Sequence, residues 1–414
     1  MKSPVPDYLD EILDTYRSDT SGELNSELPD ADADCLAIAI TSVDGVTYSA
    51  GDADERFPIE SMSKPFTYAL AMHDVGTDAV HEKIGVEPSG DAFNEISLES
   101  STGRPFNAMI NAGAIAAHCL VDGDGCDERA ERIRGHFSEL ADHDLEFEEA
   151  AAEPPHRNLA IGHMLRTVDM IDDDPEDVVR GYTRQCALAV TTRDVSIMAS
   201  VFANRGIHPV TGAHLLEPSS VRHVLSVMAT CGMYDAAGDW MTSVGIPAKS
   251  GISGGIMGVL PGQVGIAVFS PRVDSRGNSV RGVELFEHLS RDMGLHLMET
   301  PPFGQSLFRR AEIRDGAHYY ELQGAVQFAG VEALAREVEN RDQAELPVVF
   351  DLLSVTGFSD VSQRLLGDVV RRLREDDDVP VAVVDPDEVF REHVPAGAAA
   401  PTIVRSLDDA YDAL

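Results

Sequence analysis

Ser61-Met62-Ser63-Lys64 and Lys249-Ser250-Gly251 are the segments of this chain whose residue types and spacing could do covalent chemistry. Lysine occurs at only four of 414 positions, Lys2, Lys64, Lys83 and Lys249, although arginine is plentiful. Whatever depleted lysine spared these sites. A serine three residues before a lysine shares a helix face with it. Serine becomes a nucleophile only beside a base, and lysine is a base only when burial or a neighbouring cation lowers its pKa. Lys249 is a candidate for that cation. Ser-x-x-Lys alone recurs by chance on many surface helices, so the second lysine segment is what turns the pattern into an expected serine acyl-transfer site.

Positioning falls first to Pro65. Proline is tolerated only in the opening turn of a helix, so the helix starts no more than about four residues earlier and Ser61 sits at its N-terminus. Free backbone N–H groups and the positive dipole end there favour a developing alkoxide and oxyanion. Cys35 to Thr41 and Thr47 to Ser49 read as a hairpin around Asp44-Gly45. Helical spacing follows over Phe66 to His73, Asn111 to Leu120, Ala160 to Thr167, Asp194 to Ala203 and Ser219 to Met228. Gly255 to Leu260, Gly265 to Ser270 and Asn278 to Gly282 read as strands, with a closing helix over Val283 to Met293. Strands at both ends with helices between predict an α/β (α+β) domain, one mixed sheet closed by its two ends beside a helical subdomain.

Composition narrows the function. A formal charge of -39 and 71 acidic against 32 basic residues make a polyanion that nucleic acid and anionic membranes repel. The acidic runs are spread along the chain, which fits a solvated surface in a salt-rich cytoplasm and a halophilic source. No stretch has the roughly 18 apolar residues of a membrane span, and Met1 to Leu13 lacks a signal-like apolar core, so a cytoplasmic protein is expected. Cys35, Cys119, Cys126, Cys186 and Cys231 are odd in number and lack CxxC spacing, and the 14 histidines show no HExxH pattern. Buried thiols, no metal and no cofactor are expected.

Together the two lysine segments have the layout of serine β-lactamases and penicillin-binding proteins. Their neighbours carry the likeness further: Phe57-Pro58-Ile59, Asn107 to Ile115, His156-Arg157-Asn158, Tyr182 to Cys186, Cys231-Gly232-Met233-Tyr234-Asp235 and Pro247 to Gly251 closely resemble the serine-dependent glutaminases, from roughly Gly22 to Met293. The resemblance implies a β-lactamase-like domain over residues 1–300 that hydrolyses the side-chain amide of glutamine to glutamate and ammonia without a cofactor. It implies Ser61 as nucleophile, Lys64 as base and Tyr234 as proton relay, with Lys249 and Ser250 lining the site. It also implies that Asn111, Asn158 and Tyr182 hold the head group and that the N–H groups of Ser61 and Ile252 form the oxyanion hole. Each has a plainer alternative: Asn111 and Asn158 as helix caps, Tyr182 and Tyr234 as core aromatics.

Three positions depart from the family pattern. Glu60 stands where glutamine usually precedes the nucleophile, Glu27 aligns with a substrate-reaching tyrosine, and Ala151 with a glutamate that Glu149 or Glu153 could replace after realignment. All concern head-group recognition, so Glu60 and Glu153 join the substrate-binding candidates. A carboxylate near the substrate carboxylate implies weakened affinity for glutamine, or a related amide lacking that group.

Pro301-Pro302 and Gly304 mark a boundary. Beyond it, strands over Tyr319 to Val326, Leu346 to Leu353 and Val379 to Val384 alternate with helices over Ala329 to Glu339 and Val361 to Glu375, and the tail after Pro395 reads as flexible before a last helix. Phe350 to Val355 followed by Phe358 to Ser362 resembles a STAS domain, placed over 315–395. That resemblance implies regulation or self-association, with Ser362 as a phosphorylation candidate and Ser362 or Asp360 as a plain cap otherwise. The expected partners are a small amide substrate, copies of the chain in a dimer or tetramer, and a regulatory partner of the STAS-like unit. Two other functions remain open: an SxxK acyl hydrolase acting on another amide or ester, and a non-catalytic amide sensor.

Overall fold

Ten consecutive residues, Ser63 to Met72, are buried in the helix Ser63–Val75, and Lys64 is the one charged side chain among them. A helix apolar on every side belongs inside a domain. In this computed structural model, which describes residues 3–25, 31–89, 98–148, 154–298, 307–386, 388–390 and 400–414, the chain divides into two units. One is Asp10–Glu287; the other is Met1–Leu9 with His288–Leu414.

The larger unit holds a five-stranded sheet in the spatial order Thr47–Gly51, Ala37–Ser42, Val264–Phe269, Gly255–Leu260, Ala248–Ser250. The early hairpin thus pairs with the late strands, as the sequence predicts. The sheet is antiparallel at every pairing, however, and not mixed. The links Gly251–Gly254 and Pro261–Gln263 are too short for the crossover that parallel neighbours need. Four of the strands, all but Thr47–Gly51, are buried at every position, which explains the apolar runs of the three longer ones.

The helix Thr192–Ala203 lies across this sheet, capped by Thr191 and Asp194 in a reciprocal capping box. It lies so close that a Cβ on Gly265 would stand 2.3 Å from the Ser200 nitrogen, so only glycine fits there. Phe66 from the central helix stacks on Phe202 at 4.9 Å and meets Phe137 edge-on at 5.6 Å. The helices Thr77–Lys83, Asn111–Leu120, Gly125–Ala141, His156–Thr167, Pro175–Cys186, Pro218–Cys231 and Ala237–Ser243 belong to the helical part. Asn278 to Gly282 is not a strand. Ser279 makes a single bridge to Val273, its hydroxyl accepts from the Gly282 N–H, and a helix runs from Val280 to Met293.

The smaller unit is a five-stranded sheet in the order Phe308–Arg314, Ala317–Val326, Val348–Phe358, Val381–Val384, Thr402–Val404. The first pair is antiparallel and the rest are parallel. Helices Phe328–Glu339 and Asp360–Glu375 make the crossovers and pack on each other. The first and last of these strands were not visible in the sequence: Phe308–Arg314 is mostly exposed and carries no apolar alternation. The Pro301-Pro302 boundary and the tail residues 395–399 lie outside the described residues.

Candidate active site

A 3-10 turn, Glu60–Met62, runs directly into the Ser63 helix, so Ser61 and Lys64 face the same way across the junction. Pro65 falls in the helix's first turn, where its missing N–H has no partner to lose. Glu60 adopts φ 50 and Tyr234, across the site, φ 51. Two non-glycine residues in the left-handed region mark strain that the surrounding packing must hold.

Lys64 is 1% exposed. Its Nζ donates to Asn111 Oδ1 at 2.7 Å and to the Met109 carbonyl at 3.3 Å. Asn107 presents that carbonyl by accepting the Met109 N–H with Oδ1 at 2.9 Å. Asn111 Nδ2 in turn donates to Asn158 Oδ1 at 3.0 Å. Neither asparagine caps its helix: Ile110 and Pro155 occupy the cap positions, without a side-chain cap bond. Burial lowers the Lys64 pKa to about 8, against the smaller opposing effects of Cys186 and Glu60.

Lys249 comes from the edge strand Ala248–Ser250 and is wholly buried. Its Nζ donates to the Gly232 carbonyl at 3.0 Å and the Ser250 carbonyl at 2.7 Å, and lies 4.2 Å from the centre of the Tyr234 ring. Gly232 permits the approach, since a Cβ there would stand 1.8 Å from the Ala248 carbonyl oxygen. Burial first, and then the charge of Lys64, push Lys249 well below its ordinary value. Of the two causes the sequence offers, burial or a neighbouring cation, burial is the larger for each lysine.

Tyr234 OH donates to the Ser250 carbonyl at 3.0 Å, and its oxygen is hydrogen-bonded to the Ser61 hydroxyl. Burial raises its pKa, so the phenol stays neutral. Ser250 is buried with an unpartnered Oγ. Ile252 opens the turn beyond it, beside Gly277 and Tyr234, and its carbonyl accepts from Asn25 Nδ2 at 3.3 Å. Tyr182 is 3% exposed, hydrogen-bonded to the Cys186 thiol one turn on, and raised well above the ordinary phenol value by burial and then by Cys186. Ser61, Lys64, Tyr234, Lys249, Ser250, Ile252, Asn111, Asn158, Tyr182 and Glu60 therefore surround one region. Glu153, with Glu27, Glu149 and Ala151, lies outside the described residues.

Sequence reasoning missed the support behind this region. His118 Nδ1 meets Gln185 Oε1 at 3.0 Å, Gln185 Nε2 donates to Ser63 Oγ at 3.0 Å, and Ser63 reaches the Cys186 thiol. The thiol is pushed up to about 12 by burial and then by Glu60. Arg184-Gln185-Cys186 had drawn notice as a motif, but nothing in it signals a contact to residue 63. A cleft of about 560 Å³ opens beside Tyr234, lined also by Asn107, Ile110, Thr230, Asp235 and Met241. That size suits a small molecule.

The family model for glutaminase matches residues 22–298. This chain belongs to the glutaminase family. A glutaminase of Corynebacterium efficiens is 47% identical over 396 residues, covering 94% of this chain and 93% of its own length. The glutaminase of Trichormus variabilis is 44% identical and covers 91% of its own length but 72% of this chain, so this glutaminase-family chain is the longer of the two. Among solved structures, Mglu superposes with a TM-score of 0.71 at 43% identity, over 94% of this chain and 100% of Mglu. Mglu in its L-glutamate binding form in 4.3 M NaCl also superposes at 0.71, with 39% identity over 94% of this chain and 100% of that chain.

Proposed function

We propose that this glutaminase-family protein hydrolyses the side-chain amide of L-glutamine to L-glutamate and ammonia through an acyl-enzyme on Ser61. The observation that carries the reading is a lysine buried three residues from a serine, with its pKa brought down to about 8. At pH 7 about a tenth of Lys64 is then uncharged and able to take a proton. Tyr234 cannot be the base, because burial keeps its phenol protonated. It relays instead: its oxygen touches Ser61 while its hydroxyl is held by Ser250.

Ser61 Oγ attacks the amide carbon as its proton passes toward Lys64. The oxyanion forms against the N–H groups of Ser61 and Ile252. Tyr234 delivers a proton to the leaving nitrogen and is reprotonated from the Lys64 ammonium as ammonia departs; water then attacks the ester, losing its proton to neutral Lys64, and a proton returns to Ser61 Oγ as glutamate leaves. Lys249 keeps the Ser250 carbonyl and the Tyr234 ring in place. Asn111, Asn158 and Tyr182 receive the head group, and Glu60 is positioned to read its charge.

The unit formed with His288–Leu414 we read as STAS-like and regulatory, supported by its parallel strands and crossover helices. The helix there is capped by Ser359, not by Ser362 or Asp360. Ser362 is wholly buried with its hydroxyl 2.6 Å from Ser359 Oγ, so phosphorylation at Ser362 requires that turn to open. A catalytic domain ending near residue 300, assembly into a homo-oligomer, a salt-rich habitat and a cytoplasmic location belong to the same proposal. The five cysteines are free, as a reducing compartment would leave them, and among the described residues no helix is long and apolar enough to cross a membrane.

Coupled ammonia detection over a panel of amides in molar salt, comparing wild type with Ser61→Ala, tests the reading. Glutamine turnover that vanishes in the variant supports it. Turnover of esters or lactams above glutamine would favour a different SxxK hydrolase, and stabilisation by glutamine without ammonia release a sensor.

A further inference from the structure

His81 Nε2 and His223 Nε2 lie 2.8 Å apart, although 142 residues separate them in sequence. His81 sits on the short helix Thr77–Lys83 and His223 on the helix Pro218–Cys231. Their ring centres are 4.4 Å apart at a tilt of 41°, and both side chains are half-buried. We propose that this pair is a binding site for one divalent transition-metal ion of the copper and nickel type, clamping the two helices with two imidazoles and leaving the other positions to water.

The geometry favours that class. Two imidazole nitrogens at about 2.0–2.1 Å from one ion stand about 2.9 Å apart when they are neighbours in a square plane, and about 3.3–3.4 Å apart in a tetrahedron. The observed 2.8 Å needs almost no movement for the first arrangement and about half an ångström for the second. Among the described residues no cluster of three or more ligating side chains exists, which leaves a two-ligand, water-completed site rather than a closed structural zinc site.

The short helix that carries His81 is anchored. Arg104 Nη1 donates to the His81 carbonyl at 2.5 Å and its Nη2 is paired with Glu99 at 2.9 Å. Lys83, on the same short helix, donates to the Asp169 carbonyl at 2.6 Å. Without an ion, one ring must present Nε2–H and the other a bare Nε2. An ion replaces that proton and removes the choice of tautomer.

The clamp lies next to catalytic supports. Tyr68, one helical turn beyond Lys64, places its ring 6.0 Å from His223, and the His223 helix leads into Gly232 and Tyr234. The inference does not depend on the proposed reaction, because it is read from binding.

Titrating full-length protein with Cu²⁺, Ni²⁺, Zn²⁺ and Mg²⁺, against metal-chelated protein at matched ionic strength, tests it. Thermal unfolding should shift upward and saturate with Cu²⁺ and Ni²⁺, less with Zn²⁺ and not with Mg²⁺, and Cu²⁺ resonance should show two equatorial imidazole nitrogens. His81→Gln and His223→Gln should each bind Ni²⁺ at least about tenfold more weakly, since changing even an outer-shell partner of a metal ligand costs that much. His81→Gln, on the short helix, serves if His223→Gln does not fold. Equal Ni²⁺ affinity in wild type and His81→Gln, or a Cu²⁺ signal with carboxylate oxygens alone, overturns the proposal.

Discussion

The Lys64 ammonium and the Asn111 side-chain oxygen lie 2.7 Å apart at the floor of the site, joining a general-base candidate to the asparagine pair that the family resemblance assigns to the head group. Substrate binding and the protonation of the base are thereby coupled. Any group that alters charge at residue 111 alters both.

The first consequence concerns pH. With Lys64 near 8 and active when neutral, kcat/KM for glutamine should climb about tenfold per pH unit below 8 and level off above it. Steady-state rates from pH 5.5 to 9.5 in constant salt measure this. A flat profile across pH 6 to 9 would exclude Lys64 as the titrating base.

Asn111→Asp places a carboxylate where Lys64 now meets an amide oxygen. A negative neighbour favours the ammonium, so the acid limb should move up by one unit or more and activity at pH 7 should fall about tenfold or further. The shift of the limb distinguishes this effect from loss of substrate binding, which would change KM at every pH alike.

Glu60→Gln should act in the opposite direction. The Glu60 charge raises Lys64, Cys186 and Tyr234, so removing it should move the limb to lower pH. It should also lower KM for glutamine, and a KM that rises would show that the carboxylate grips the substrate ammonium.

Ser61→Ala should remove turnover to the limit of detection, and Tyr234→Phe should cost about 10²–10⁴ in kcat, the usual range for a positioned proton-transfer group. Mass spectrometry after rapid quenching should find an acyl adduct on Ser61 in wild type and none in Ser61→Ala. An unchanged kcat in Tyr234→Phe would remove the phenol from the proton path.

Phe66→Ala empties the space between Phe202 and Phe137 on the helix that follows the Glu60–Met62 turn. It should destabilise the protein by about 3–5 kcal/mol, read by urea unfolding of the full chain in fixed salt. A loss below about 1 kcal/mol would mean the three rings are not the core contact described.

The arrangement of the candidate site was partly legible in short segments because that part rests on local rules. Pro65 confines the helix start, that start puts Ser61 and Lys64 on one face, and the Asp44-Gly45 turn makes the early hairpin. These follow from sterics and spacing within a few residues. The Asn278 strand misread is also local: an apolar stretch led by small polar residues reads either as a strand or as a helix preceded by its cap.

What the sequence could not decide is which side chains of distant segments meet. Asn111 and Asn158, 47 residues apart, could as well have been caps until the fold turned them on Lys64 and on each other. The burial of both lysines, the carbonyls that hold Lys249, and the meeting of His81 with His223 were likewise out of reach. Spacing along the chain fixes which atoms share a helix face, but a pKa depends on how much water the rest of the chain removes, and only the packed structure sets that.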